Sequence, residues 1–91
     1  MTKRLRRAVQ ITNRRGLHAR ASARFVTLAS SQTAAIAVEK DGAKVAGTSI
    51  MGLMMLGAAM GDSITIEAFG DDAEDALTLL CGLVETKFGE D

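Results

Sequence analysis

Proline, tryptophan and tyrosine are absent from this 91-residue chain, and cysteine occurs once. A single cysteine excludes an internal disulfide and cannot build a metal site, which suits a reducing cytoplasm. No apolar run approaches the ~20 residues of a membrane-spanning helix. The arginine-rich start leads into no apolar signal core, so neither membrane insertion nor Sec-type secretion is expected. With no proline, no low-complexity stretch and no internal repeat there is no linker, and a single domain over residues 1–91 is expected. What is present is an ordinary globular mixture, 47% hydrophobic and 24% charged. At this size folding can bury roughly 60–65% of the unfolded surface, enough for a core without staples.

The net charge of zero conceals a division along the chain. Lys3, Arg4, Arg6, Arg7, Arg14, Arg15, Arg20 and Arg24 all precede residue 39, and no acid does. The remainder holds three lysines and all eleven acids. One end of the molecule is therefore suited to a negatively charged partner or group.

Hydrophobic periodicity sets out the elements. Val9 and Ile11 alternate with polar neighbours over residues 6–13, which predicts a strand, and Asn13 to Gly16 break it. From Ala19 the spacing turns helical, with Ala21, Phe25, Leu28 and Ala29 on one face and an end at Ser30 to Thr33. Ala35 to Lys40 alternates again, Asp41-Gly42 is a two-residue hairpin signal, and Ala43 to Ala46 returns as a short strand. Thr48-Ser49 opens a compact helix over Ile50 to Leu56, and Ser63 to Phe69 is a strand. After Gly70 comes a last helix, with Ala76, Leu77, Leu80, Cys81, Val84 and Phe88 at helical spacing. Asp71, Asp72, Glu74 and Asp75 suit the positive end of its dipole, and Lys87 suits the other end. The order β-α-β-β-α-β-α implies an α/β two-layer sandwich, one sheet face open and the other covered by the two longer helices.

His18 is the only histidine, and its place matters more than its rarity. It stands where the first helix begins, and there the amides of about one turn lack internal partners and form an anion site. Arg20 adds a guanidinium able to grip a phosphoryl oxygen. An arbitrary histidine at a helix start is more often a capping or surface residue, so the surroundings have to carry the argument.

Gly16-Leu17-His18-Ala19-Arg20-Ala21-Ser22 resembles the active-site signature of the HPr-family phosphocarriers of the phosphoenolpyruvate-dependent phosphotransferase system. Thr48-Ser49-Ile50-Met51-Gly52-Leu53 resembles the family's second motif, around its regulatory serine. Both stand in register on the element order above. The resemblance implies an α+β open-faced sandwich with a four-stranded antiparallel sheet and no cofactor or metal. The protein would be a cytoplasmic bacterial monomer that carries phosphate rather than an enzyme turning over small molecules. His18 would take a phosphoryl group on Nδ1 from phosphorylated enzyme I and pass it to an enzyme IIA-type acceptor, with Arg20 stabilising it. The family usually has proline after the arginine, whereas this chain has Ala21. Alanine is an excellent helix former, so the helix start survives and only fine positioning is affected. The Ala-Arg-Ala-Ser version is similar to carriers of the nitrogen-related branch.

Ser49 reads in two compatible ways, as the N-cap of the short helix and, by the resemblance, as a target of HPr kinase/phosphorylase. Ile50, Met51, Leu53, Met54, Met55 and Leu56 are too many apolar residues for one buried stripe on two turns. Leu53 and Leu56 are assigned to the core and the rest are expected to be partly exposed. By the resemblance Ile50, Met51 and Met54 are docking candidates, ringed by Arg15, Arg20 and Arg24, and flexible methionines suit surfaces that meet several partners. Ser22 and Thr27 are read as helix-surface residues and Cys81 as core. The acids of the last helix read as a solvated face and are expected to lie away from the site.

Two other classes remain. A small nucleic-acid-binding α/β module would use the basic third, although three phenylalanines leave few base-stacking platforms. A stand-alone enzyme would need an acid/base partner for His18, and the sequence offers none that is recognisable.

Overall fold

The computed structural model describes residues 3–90. In chain order it contains β1 (Lys3–Gln10), α1 (Ala19–Ser30), β2 (Ala35–Lys40), β3 (Ala43–Ala46), α2 (Ile50–Met55), β4 (Ser63–Gly70) and α3 (Ala73–Glu85). A 3₁₀ turn follows at Lys87–Gly89. The four strands form one sheet in the order β1-β4-β2-β3, with every neighbouring pair antiparallel.

Alternation along the strands decides which face is covered. Val9, Ile36, Val38, Ile64, Ile66 and Ala68 turn inward and are buried. Their neighbours Arg6, Glu39, Lys44 and Glu67 face outward, where Arg6 pairs with Glu39 at 2.6 Å and Lys44 with Glu67 at 2.8 Å. The β2–β3 hairpin turns on Asp41 and Gly42, both left-handed at φ 51° and 86°, as a two-residue turn matched to strand twist requires.

Against the inner face α3 packs on β1 and β4, α2 packs on β3, and α1 bridges α2 and α3. The short helix therefore shares the covering role that the sequence assigns to the two longer ones. Phe25 of α1, Leu53 of α2, and Leu77, Leu80 and Val84 of α3 are each at most 1% exposed. Each such side chain contributes about 1.5–3 kcal/mol of transfer free energy. None of the helices among the described residues is long and apolar enough to cross a membrane.

Some local expectations are corrected. The first strand runs Lys3–Gln10 rather than 6–13, because its ladder on β4 begins at Lys3 opposite Gly70 and ends at Gln10 opposite Ser63. Ile11 is still buried, bonded through its N–H to Asp62 and through its C=O to the N–H of Gly61. On α1 the fully buried set is Ala21, Ser22, Phe25 and Ala29, with Leu28 only partly covered. Ser22 is thus interior, not surface; its hydroxyl donates to the Leu17 carbonyl at 3.1 Å, which makes a buried hydroxyl tolerable. Thr27 is exposed as expected, its hydroxyl donating to the Ala23 carbonyl. Phe88 and Lys87 are not on the last helix: both have left-handed backbones, φ 56° and 59°, in the turn beyond it. Phe88 nevertheless reaches the core at 1% exposure.

Candidate functional site

The chain leaves β1 and enters α1 through a loop closed by its own hydrogen bonds. Gly16 takes φ 62° there, and a Cβ at this position would lie 2.3 Å from the Ala58 carbonyl oxygen. The next residue uses that oxygen, since the Leu17 N–H donates to it at 3.0 Å. Asn13, fully buried, donates from Nδ2 to the Gly16 carbonyl at 2.9 Å. Only glycine fits at position 16, and the loop so built sets His18 at the head of α1.

His18 occupies the N-cap position with extended backbone, and its side chain makes no capping hydrogen bond. The imidazole is thus free for other use. The first helical bond runs from the Ser22 N–H to the His18 carbonyl at 2.9 Å, so the amides of residues 19–21 have no partner four residues back. The first turn carries no acidic side chain to compete for that positive end.

A basin of about 470 Å³ adjoins this helix start, lined by Arg14, Arg15, Arg20, Arg24, Gly89 and Glu90. Four guanidiniums against one carboxylate make it strongly cationic. His18 is joined to the basin through Glu90 rather than lining it: Nε2 lies 2.6 Å from Glu90 Oε2. The other carboxylate oxygen accepts from Asn13 Nδ2 at 2.9 Å. Asn13's hydrogen bond, with those of His18 and the nearby charge of Arg24, holds the Glu90 carboxyl below its ordinary value of 4.5 against the opposing effect of burial. Arg24 also donates from Nη1 to the Phe88 carbonyl, clamping the C-terminal turn to α1.

The structure therefore brings Arg15, Arg20 and Arg24 together beside His18 and adds Arg14. It also corrects one expectation: an acid does reach the histidine, and it is Glu90, beyond the last helix. Nothing in local sequence announces this contact, because the two residues are 72 positions apart. Phe88, which apolar spacing assigns to the last helix, is buried in the turn beyond it, where the chain folds back. Asn13, whose sequence position marks it only as a strand breaker, is likewise tied to Glu90 by folding alone.

Ser49 lies at the start of α2 and caps it, its Oγ accepting from the Gly52 N–H at 2.9 Å. On the same helix Leu53 and Leu56 are buried, while Ile50, Met51 and Met54 are 42%, 72% and 44% exposed. Met55, expected to be partly exposed but not among the docking candidates, is the most open of the group at 79%. Because α2 packs against α1, this apolar surface stands next to the element that His18 begins. Of the three phenylalanines Phe25 and Phe88 are buried, and Phe69 lies under Arg4, 5.1 Å from ring centre to guanidinium carbon. A nucleic-acid module has little here on which to stack bases.

Comparison with known proteins gives a consistent result. The family model PTS-HPr, described as the PTS HPr component phosphorylation site, matches residues 5–86. Phosphocarrier protein HPr of Cupriavidus necator is 41% identical over 86 residues, 94% of this chain and 97% of the relative. Phosphocarrier protein NPr of Shewanella violacea is 44% identical over 90 residues, covering 99% and 98%. Among solved structures, HPr of Thermoanaerobacter tengcongensis superposes with a TM-score of 0.91 at 46% identity, covering 96% of this chain and 98% of that one.

Proposed function

The chain belongs to the HPr phosphocarrier family of the phosphotransferase system, and from that premise we propose that His18 is its phosphoryl acceptor. In this reading Nδ1 takes the group from phosphorylated enzyme I and yields it to an enzyme IIA-type acceptor. The observation that carries the reading is the placement of the sole histidine at a helix start with unpaired amides, beside a basin of four arginines. Phosphoryl transfer needs mainly positioning and charge neutralisation, and both are built into that arrangement. Arg20, two residues beyond the histidine, is the cation assigned to the phosphoryl oxygens, where a guanidinium can bond two at once.

Docking is assigned to Ile50, Met51 and Met54, flanked by Arg15 and Arg24, against acidic partner surfaces. A carrier of one domain over residues 1–91, working as a monomer in the cytoplasm, needs little beyond that patch and one histidine. Ser49 is proposed as a site for HPr kinase/phosphorylase. A phosphate there adds about two negative charges at a helix start, tolerable for the helix but adverse to an acidic partner. A competent kinase that leaves Ser49 unmodified, or a Ser49→Asp variant with unchanged uptake, removes that part of the reading.

The central test is incubation with enzyme I, phosphoenolpyruvate and Mg²⁺. Acid-labile phosphate is expected on wild-type protein and none on His18→Ala. Equal label on both proteins, or no label on wild type with a working enzyme I, overturns the assignment. Relatives of both the HPr and NPr kinds match, and competition between sugar-branch and nitrogen-branch enzyme I proteins identifies the physiological donor.

A further inference from the structure

We propose that the thioethers of Met51, Met54 and Met55 on α2 are a reversible modification site, whose conversion to sulfoxides by a peroxide weakens docking and leaves the fold intact. This rests on the docking role assigned to the helix and extends it to regulation. Residues 51, 54 and 55 stand at i, i+3 and i+4, so their side chains share one face. They are 72%, 44% and 79% exposed. The same helix gives its buried positions to Leu53 and Leu56, which carry no sulfur. Every methionine among the described residues is exposed, the fourth being Met60 in the turn beyond the helix. The oxidisable thioethers are thus kept out of the core, and three of the four are gathered on the short helix that packs against α1.

Two further features make this face the place where an oxidant acts. The remaining sulfur, that of Cys81, is buried, and burial raises its thiol pKa. The reactive thiolate is therefore scarce and screened from solvent. The helix is also held by groups that a sulfoxide leaves alone. Its cap is the Ser49 Oγ, which accepts from the Gly52 N–H, and its anchor in the core is Leu53. Oxygen added to the exposed thioethers changes the surface that a partner meets and nothing that holds α2 in place.

In the modifying step a sulfur lone pair attacks one oxygen of hydrogen peroxide, and the S–O bond forms as the O–O bond breaks. The leaving hydroxide collects the proton from the transferred oxygen and departs as water. Sulfur loses an electron pair and the peroxide gains it. A flexible apolar side chain has become a polar, chiral one. Pressed unpaired against the apolar surface of a partner, one such group costs roughly tenfold in affinity. Methionine sulfoxide reductases reverse the change, a dithiol giving up the electron pair to become a disulfide while the oxygen leaves as water.

The test compares each protein with its own untreated sample. The full chain is treated with hydrogen peroxide, and peptide mass spectrometry counts the oxygen atoms gained at each methionine and at Cys81. Phosphoryl uptake from phosphorylated enzyme I is then measured over a range of carrier concentrations. In wild type the KM for the carrier should rise roughly tenfold or more. The kcat should change less than about twofold, because binding is lost and the reacting atoms are untouched. Methionine sulfoxide reductases with a dithiol should restore the starting KM. The combined variant Met51→Leu, Met54→Leu and Met55→Leu should lose the sensitivity to peroxide, and Met60→Leu should keep it. Oxidised and untreated wild type should share one urea midpoint. An unchanged KM with all three sulfurs oxidised, equal sensitivity in the combined variant, oxidation of Cys81 ahead of the methionines, or unfolding of the oxidised chain overturns the inference. Untreated wild type that takes no label overturns the carrier reading instead, and the regulation of docking falls with it.

Discussion

Replacing Gly16 by alanine plants a methyl group where the backbone leaves no room for one. The residue sits at φ 62°, and the new Cβ would lie 2.3 Å from the Ala58 carbonyl oxygen and 2.9 Å from the Ala59 Cα. Both are backbone atoms, so no side-chain rotation relieves the contact. Gly57 supplies the matched control, because its φ of 65° is nearly the same and a Cβ there meets nothing within 4 Å. Gly57→Ala therefore isolates the conformational cost, about 1–2 kcal/mol for a left-handed alanine. Gly16→Ala adds the displacement of packed backbone, about 1–3 kcal/mol. It also weakens the Leu17 N–H bond to the Ala58 carbonyl, at about 1 kcal/mol. The expected losses are thus about 1–2 kcal/mol for Gly57→Ala and about 3–6 kcal/mol for Gly16→Ala. A domain of this length has a total stability of roughly 5–14 kcal/mol. Urea unfolding followed by far-ultraviolet circular dichroism, compared at equal m-values, measures both variants. Thermal midpoints should fall by about 4–8 °C per kcal/mol. Equal losses in the two variants, to within about 0.5 kcal/mol, would refute the claim that Ala58 confines Gly16 and thereby the head of α1.

Other expectations follow from the same structure. Ser49→Ala removes the acceptor for the Gly52 N–H and should cost about 1 kcal/mol, while Ser49→Asp keeps a cap and should cost less; urea midpoints decide between them. Cys81 is 3% exposed and burial raises its thiol pKa, so a maleimide should label folded protein at least about a hundredfold more slowly than urea-unfolded protein. Matched labelling rates would place the thiol at the surface. In acid, Glu67 is held below its ordinary 4.5 by the Lys44 hydrogen bond first, then by the charges of Lys44, Arg4 and Arg6. A depressed folded pKa means its stabilisation is fully present above 4.5 and is lost as pH falls through the lower folded value. Glu67→Gln should accordingly flatten the loss of stability below pH 4.5 and leave the slope near neutrality unchanged, as urea midpoints across that range would record.

The element order, the hairpin at Asp41-Gly42, the cap at Ser49 and the division of α2 into buried leucines and exposed methionines were all legible in the sequence. They depend on periodicity, turn chemistry and capping, which act within a few residues. Boundaries read less well: β1 begins earlier than its apolar alternation suggests, because strand pairing with β4 extends it through polar residues whose side chains carry no such signal. Ser22 departs from its expected surface position for a related reason. Its polarity suggests solvent, and only the nearby Leu17 carbonyl makes its burial tolerable.

The sequence by itself determined the β-α-β-β-α-β-α plan and the setting of the only histidine at a helix start among arginines. Those features rest on local preferences and on a short contiguous motif. Tertiary structure alone decided what touches the imidazole. Glu90 reaches His18 across 72 residues because a core-anchored Phe88 and three left-handed residues reverse the chain after α3. Asn13 then fixes which carboxylate oxygen faces Nε2. Contacts made by folding the two ends of a chain together leave no periodic mark along it, and the contact of Glu90 with this histidine is one of them.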